Sequence, residues 1–266
     1  MTPAQIEAAA EALYHADRDG RQIGLLSLRH PAMTMDDAYA VQSALVARKI
    51  AAGRRRIGWK IGLTSRAMQD ALGIDTPDSG VLLDDMAFAN GATVPAGRFI
   101  QPRVEAEIAF VMAAPLDGAG CTREDVIAAT QSVAPSLEIL DTRILRADPA
   151  TGQARAITDT IGDNAANAGF VLGDARHAPG AHDLRWTGAI LARNGIVEET
   201  GLGAGVLNDP VTSVLWLARR LAAYGQRIEA GDIVLSGSFI RPVEAPPGAD
   251  ITADFGSFGS VGIAFS

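Results

Sequence analysis

The chain has 266 residues, 48% of them hydrophobic and 20% charged, with a mean hydropathy of +0.13 and a formal net charge of −8. These are globular proportions, enough for a large core with room for a smaller appendage, and the acidic balance argues against a general nucleic-acid binder. The single cysteine, Cys121, excludes an internal disulfide framework and fits a reducing cytoplasm, and no apolar run approaches membrane-spanning length.

Residues 3–19 read as an amphipathic helix with Ile6, Ala10 and Leu13 on one face, and the acidic Glu7, Glu11 and Asp17 set it apart from a signal peptide. Thr34 caps a second helix that carries Asp36 and Asp37 in its first turn. There Ala38, Val41 and Leu45 recur at helical spacing, and Gly53 stops the run. Residues 1–56 are therefore expected to form a helical region, followed by a mainly β body over 57–266, with Arg54–Arg56 as a solvated turn between them.

Ile57–Thr64 reads as a short buried strand in which Lys60 lies between Trp59 and Ile61. Two readings of this lysine are open: a stem laid on the core with its ammonium in water, or an amine held near an anionic site for proton transfer. Ser65 caps a brief helix to Ala71, ended by Gly73. Asp75–Met86 reads as a turn-rich acidic loop whose Asp78, Asp84 and Asp85 are either turn formers or catalytic acids.

The chemistry turns on Pro102–Met112. Val104, Ala106 and Ile108 alternate with Glu105 and Glu107, the pattern of a strand, so both carboxylates point to one side. Like charges at i and i+2 beside a core strand repel and lose hydration; open solvent, a basic partner or a divalent cation relieves this. A second acidic strand, Pro135–Asp141, offers Glu138 between Leu137 and Ile139. Three carboxylates with no neighbouring His or Cys suit a hard cation such as Mg²⁺ and not Zn²⁺.

Thr122 caps a helix to about Ser132, with Asp125 in the capping-box position. Asp159–Gly169 reads as a structured loop fixed by its own Asp, Asn and Gly residues, before a strand resumes at Phe170. Ala189–Glu199 is a hairpin turned by Asn194-Gly195. Gly201–Gly205 follows no buried parallel strand and lacks the G-x-G-x-x-G spacing, so no nucleotide site is expected. Asp209-Pro210 starts the best helix, with Val214, Leu215, Ala218, Leu221 and Ala222 inward and Gly225 as its end. Strands follow at Asp232–Ser236, Ile251–Phe255 and Val261–Phe265. Ser236-Gly237-Ser238 is either an ordinary bulge or a turn whose N–H groups and hydroxyls hold a carboxylate.

Several separated segments, among them Lys60–Ser65, Pro77–Met86, Pro102–Val111, Leu137–Asp141, Asp163–Gly169 and Leu235–Phe239, resemble the 2-keto-4-pentenoate hydratase family of the fumarylacetoacetate-hydrolase-like superfamily. The resemblance spans nearly the whole chain. It implies an α+β fold, a mixed β-roll with an N-terminal helical cap, that assembles as a homo-oligomer. It places Mg²⁺ or Mn²⁺ on Glu105, Glu107 and Glu138, and catalytic roles on Lys60, Asp78 and Asp84. It implies a hydratase of aromatic catabolism whose small-molecule substrate is a 2-hydroxy-2,4-dienoate or its 2-oxo tautomer, a dicarboxylate such as 2-oxo-hept-4-ene-1,7-dioate. Ser236, Gly237 and Ser238 would bind a substrate carboxylate, and Arg241 the distal one. The alternatives are 2-keto-4-pentenoate itself as substrate, a metal-dependent 4-oxalocrotonate-type decarboxylase, or a non-enzymatic assembly partner of such a decarboxylase. Two residues depart from the family pattern: Gly162 stands where relatives often have Ser, and Ser79 where they often have an aromatic residue.

Overall fold

Three helices lead the chain: α1 (Pro3–Asp19), α2 (Leu26–Arg29) and α3 (Met35–Ala51). Reciprocal caps start the two long ones. Thr2 Oγ1 accepts from the Gln5 amide at 3.3 Å, and Thr34 Oγ1 from the Asp37 amide at 3.2 Å. Ala9, Ala10 and Leu13 of α1 meet Leu26 of α2 and Val41 and Leu45 of α3 in a hydrophobic cluster of their own, which Ile144 joins from the body. The sequence did not announce α2, because four residues are too few to show a helical period.

The computed structural model describes residues 1–66, 69–70, 74 and 76–266. The brief helix expected from Ser65 to Ala71, with its end at Gly73, lies in part outside the described residues. Beyond α3 come β1 (Arg56–Gly62), β2 (Asp78–Leu83), β3 (Ala87–Phe88), β4 (Thr93–Val94) and β5 (Arg103–Met112). Next are α4 (Arg123–Ala129), β6 (Thr130–Leu140), α5 (Ile157–Gly162), β7 (Asn167–Leu172), and the hairpin of β8 (Gly188–Arg193) and β9 (Ile196–Leu202). The chain ends with α6 (Pro210–Ala223), β10 (Ile233–Ser238), β11 (Val243–Glu244), β12 (Asp250–Asp254) and β13 (Ser260–Phe265).

The strands form two mixed sheets. One, 8-stranded, runs β2-β1-β10-β5-β6-β7-β3 with β11 paired to the start of β5; the other, 5-stranded, runs β4-β13-β12-β8-β9. Val104, Ala106 and Ile108 of β5 and Leu137 and Ile139 of β6 share one core with Leu191, Ile251 and Ile263 of the smaller sheet. The α6 residues Val214, Leu217 and Leu221 extend that core. This is the α+β roll with a helical N-terminus that the sequence implied. Among the described residues no helix is long and apolar enough to cross a membrane.

Two local expectations change. Residues 78–83 are not loop but the buried strand β2, antiparallel to β1 from Gly62↔Asp78 to Arg56↔Leu83. Its first residues carry turn chemistry, and only the β1 edge, a tertiary partner, makes them strand. The helix capped by Thr122 stops at Ala129, not at about Ser132, because Thr130 already begins β6, an 11-residue strand that pairs along β5. The Asp159–Gly169 stretch divides into the end of α5, a 3-10 turn at Asn164–Ala166 and the start of β7.

Candidate active site

Alternation along β5 sends Val104, Ala106 and Ile108 into the core and Glu105 and Glu107 to the opposite face. β6 runs antiparallel with Glu138 directly across from Glu105, so the third carboxylate arrives by strand register. Carboxylate oxygens of the three lie within 4.8 Å of one another. β1 delivers Lys60, whose Nζ stands 3.4 Å from Glu138 Oε1 and 3.9 Å from Asp78 Oδ1. Lys60, Asp78, Glu107 and Glu138 are buried, while Glu105 is half-buried. A Cβ at residue 62 would sit 2.3 Å from Asp78 Oδ1 and 2.9 Å from Lys60 Nζ, so the approach of lysine and aspartate requires Gly62.

Burial pushes the Glu105 carboxyl up to about 8, with Glu138 adding to the shift. Burial, then Glu138 and Glu105, raises Glu107 well above the usual carboxylate range. Glu138 is raised by burial against the pull of Lys60, and Asp78 in the same way. Burial works against the Lys60 ammonium, yet Glu138, followed by Asp78, outweighs it and holds the pKa above the normal lysine value. One ammonium therefore faces four carboxyl groups, and burial makes full ionisation of all four costly.

Two buried oxygens, Glu107 Oε1 and Glu138 Oε2, have no hydrogen-bond partner among the described residues. Orphaned buried acceptors are unfavourable, and a hard divalent cation would satisfy both and offset the excess negative charge. An all-oxygen donor set fits Mg²⁺ or a cation like it.

Neighbouring groups fix these carboxylates. The Gly237 amide donates to Glu107 Oε2 at 2.8 Å, and Asn167 Nδ2 donates to Glu138 Oε1 at 2.7 Å. Asn164 ties the 3-10 turn to β2: its Oδ1 accepts from Val81 N–H at 2.8 Å and its Nδ2 donates to Val81 O at 2.9 Å. Asn164, Ala165 and Ala166 all lie in the left-handed region, with φ of 50, 50 and 57°. The buried Arg143 anchors that strained turn, donating to Asp163 Oδ1 at 2.6 Å and to the carbonyls of Asp163 and Asn167 at 2.8 and 3.2 Å.

Lys60, Asp78, Glu105, Glu107 and Glu138 thus come together. Asp84 does not join them. In the antiparallel β1–β2 pair Asp78 lies beside Gly62, whereas Asp84 follows Leu83 at the Arg56 end. Six residues of extended chain span about 20 Å. At that far end Asp84 accepts from the Arg55 amide at 3.1 Å and from Arg55 Nε at 3.0 Å. This corrects the expectation drawn from a loop, in which both acids could have faced one site. At Ser236–Ser238 the carboxylate held is the protein's own Glu107. Ser236 is buried, and Ser238 Oγ donates to Ile240 O at 2.8 Å. Arg241 is largely exposed and paired with Glu199. Gly162 packs against Leu26 and Val41, an apolar setting. Ser79 is held through its backbone, donating N–H to Tyr39 Oη at 3.2 Å and accepting from Gln42 at 2.8 Å.

A cavity of about 510 Å³ is lined by Lys60, Asp78, Glu105, Arg103, Arg155 and Ser238, among others. The sequence reading passed over Asn164, Asn167, Arg103 and Arg155. The two asparagines lay in a stretch read only as loop chemistry. Arg103 precedes Glu105 by two residues, so the same alternation puts it on the carboxylate face.

No protein-family model matches the chain. It is similar to the 2-oxo-hept-4-ene-1,7-dioate hydratase of Escherichia coli, with 50% identity over 256 residues covering 96% of each chain. It is also similar to the 2-keto-4-pentenoate hydratase of Paraburkholderia xenovorans, with 41% identity over 98% of this chain and 95% of the relative. The 4-oxalocrotonate decarboxylase from Pseudomonas putida G7, solved with magnesium and adipate, superimposes with a TM-score of 0.93 at 36% identity, covering 100% of this chain and 99% of that one. A fumarylacetoacetate hydrolase from Exiguobacterium antarcticum shares the fold, with a TM-score of 0.59 at 16% identity over 79% of this chain and 75% of its own. With so much of the sequence shared across its full length, the chain belongs to the 2-keto-4-pentenoate hydratase family, on the fold of the fumarylacetoacetate hydrolase superfamily.

Proposed function

We propose that this hydro-lyase of aromatic catabolism adds water to a 2-oxo-enoate, reached from a 2-hydroxy-2,4-dienoate, to give a 4-hydroxy-2-oxo acid, with 2-oxo-hept-4-ene-1,7-dioate as substrate. The observation that carries the reading is the cluster of Glu105, Glu107 and Glu138 beside the buried Lys60. Similarity to the Escherichia coli hydratase supports the choice of substrate. The three glutamates would hold Mg²⁺ or Mn²⁺, which when bound supplies a Lewis acid for the 2-oxo group.

The chain's own groups handle the protons. Lys60 rests as an ammonium between Glu138 and Asp78, and so serves first as the donor that protonates the dienolate at C5. The double bond then lies between C3 and C4, in conjugation with the ketone, and C4 becomes electrophilic. Asp78, whose pKa burial raises, takes a proton from water as the oxygen bonds to C4. Lys60 supplies the proton that C3 receives. Asp78 also takes the 2-hydroxyl proton as the dienolate forms, and after each transfer to carbon it returns a proton to Lys60 across 3.9 Å, so two protons leave the lysine, two come back, and the net uptake is one water.

The helical region 1–56 acts in this reading as a cap on the catalytic body 57–266, supported by its separate hydrophobic cluster. Homo-oligomerisation belongs to the same proposal, supported by the exposed Trp186, Ile190 and Ile196. So does a cytoplasmic location, supported by the lone Cys121. The test is loss of dienoate absorbance with the five-carbon and seven-carbon substrates, each with Mg²⁺ and with chelator. Metal-dependent hydration of either is the expected result. Release of carbon dioxide from 4-oxalocrotonate without hydration would instead make the chain a decarboxylase, and inertness toward every dienoate would leave it an assembly partner.

A further inference from the structure

The walls of the active-site cavity carry an unbalanced set of cations. Lys60 sits against Glu138 and Asp78, and Arg241 is tethered to Glu199. Arg103 and Arg155 also line the cavity, and among the described residues neither has a carboxylate within salt-bridge distance. Arg155 Nη1 donates to the neutral hydroxyl of Thr142. Both arginines are half-buried, and the nearby Arg146 is already paired with Glu244. Desolvated guanidiniums held near one another are unfavourable unless an anion joins them, and a planar guanidinium is the natural partner of a carboxylate.

Their placement relative to the glutamates is set by β5. Glu107, Glu105 and Arg103 share one face, so Arg103 lies about 7 Å along the strand from Glu105 and about 13 Å from Glu107. The apolar Leu140, Ile157, Phe239 and Ile240 contribute to the same cavity wall. A molecule with its 2-oxo acid end at the glutamates, a short hydrocarbon chain and a second carboxylate matches that sequence of surfaces.

We propose that Arg103 and Arg155 receive the distal carboxylate of the substrate and make the enzyme select a dicarboxylate over a monocarboxylic dienoate. The assignment rests on the hydratase reading above and replaces Arg241, whose charge Glu199 already occupies.

The test compares kcat/KM for 2-oxo-hept-4-ene-1,7-dioate with that for 2-hydroxypenta-2,4-dienoate. The ratio is expected to fall about 100-fold in the Arg103→Met/Arg155→Met variant, the effect of removing two charge-assisted contacts. In Arg103→Lys/Arg155→Lys, which keeps the charge and guards against a folding defect, it should fall about tenfold because the planar fork is lost. In Arg241→Met the ratio should hold. Equal losses on both substrates in the Arg103/Arg155 variants, or a collapse of the ratio in Arg241→Met alone, would overturn the proposal. A parallel calorimetric arm measures adipate against hexanoate in Mg²⁺, without turnover. Wild type should prefer adipate, and the double Met variant should not; a preference retained by that variant also overturns the assignment. Wild type that hydrates neither dienoate yet prefers adipate would sink the hydratase reading while leaving the receptor standing.

Discussion

The Gly237 amide donates to Glu107 Oε2 at 2.8 Å, while the other oxygen of that carboxylate, Oε1, is buried without a partner. One backbone bond from the neighbouring β10 strand thus fixes the side chain and leaves half of it unsatisfied. The donor depends on an unusual backbone: Gly237 has φ of 107°, and a Cβ there would come within 2.5 Å of Thr64. A residue held this way and left short of one bond is poised for a ligand the polypeptide does not supply.

Glu107→Gln keeps the volume and removes the charge. Magnesium affinity, measured by calorimetry, is expected to fall by more than about tenfold, and hydration by about 100-fold or more. In chelator the variant should unfold at or above the wild-type temperature, because a neutral amide replaces a carboxyl that burial and its neighbours make costly to ionise. Undiminished metal-dependent activity in the variant would remove Glu107 from the ligand set.

The cluster also predicts how stability depends on pH. Glu105 is pushed up to about 8, by burial first and Glu138 next, from an ordinary value of 4.5. The native state therefore keeps a proton that the unfolded chain has released, so metal-free stability is full below about pH 4.5, declines as pH rises, and levels off above about pH 8. In chelator the melting temperature should fall from about pH 5 to 8, and saturating Mg²⁺ should flatten the decline by standing in for the proton. A chelated protein with a level profile across that window would contradict the shift.

Glu105 and Glu107 were legible because a strand's period of two is local. Caps at Thr34, Thr122 and Asp209 were legible for the same reason, since each side chain bonds within its own first turn. Position along the sheet was not. Glu138 meets Glu105 through β5–β6 register, and Lys60 enters through the parallel pairing of β1 with β10, where it lies opposite Leu235. Family motifs supplied those long-range facts; spacing alone left them open. Asp78 and Asp84 were inseparable in sequence because a loop lets both acids turn to one site, while the β2 strand that actually forms keeps them at opposite ends.

That separation yields a contrast between two variants. Asp78→Asn is expected to lower turnover by about 10²- to 10⁴-fold, the usual loss on removing a general acid or base, with Mg²⁺ affinity retained. Asp84→Asn, which breaks only the contacts to Arg55, should stay within about twofold of wild type in kcat/KM, and a comparable loss there would mean that the β1–β2 hairpin does not separate the two acids as described.

Lys60→Ala separates the metal from the proton. The ammonium is the cation that Glu138 and Asp78 share, so its removal leaves the carboxylates more attractive to a divalent ion, and Mg²⁺ should bind at least as tightly as in wild type. Among the described residues no other amine stands within salt-bridge distance of Glu138, and turnover should fall by about 10²- to 10⁴-fold. In deuterated water the wild type should place one label at C3 and one at C5 of the hydrated product, and both incorporations should slow together in the variant, since one amine serves both positions. Loss of label at C5 alone would assign C3 to another group, and wild-type rates at both carbons would take Lys60 out of the mechanism.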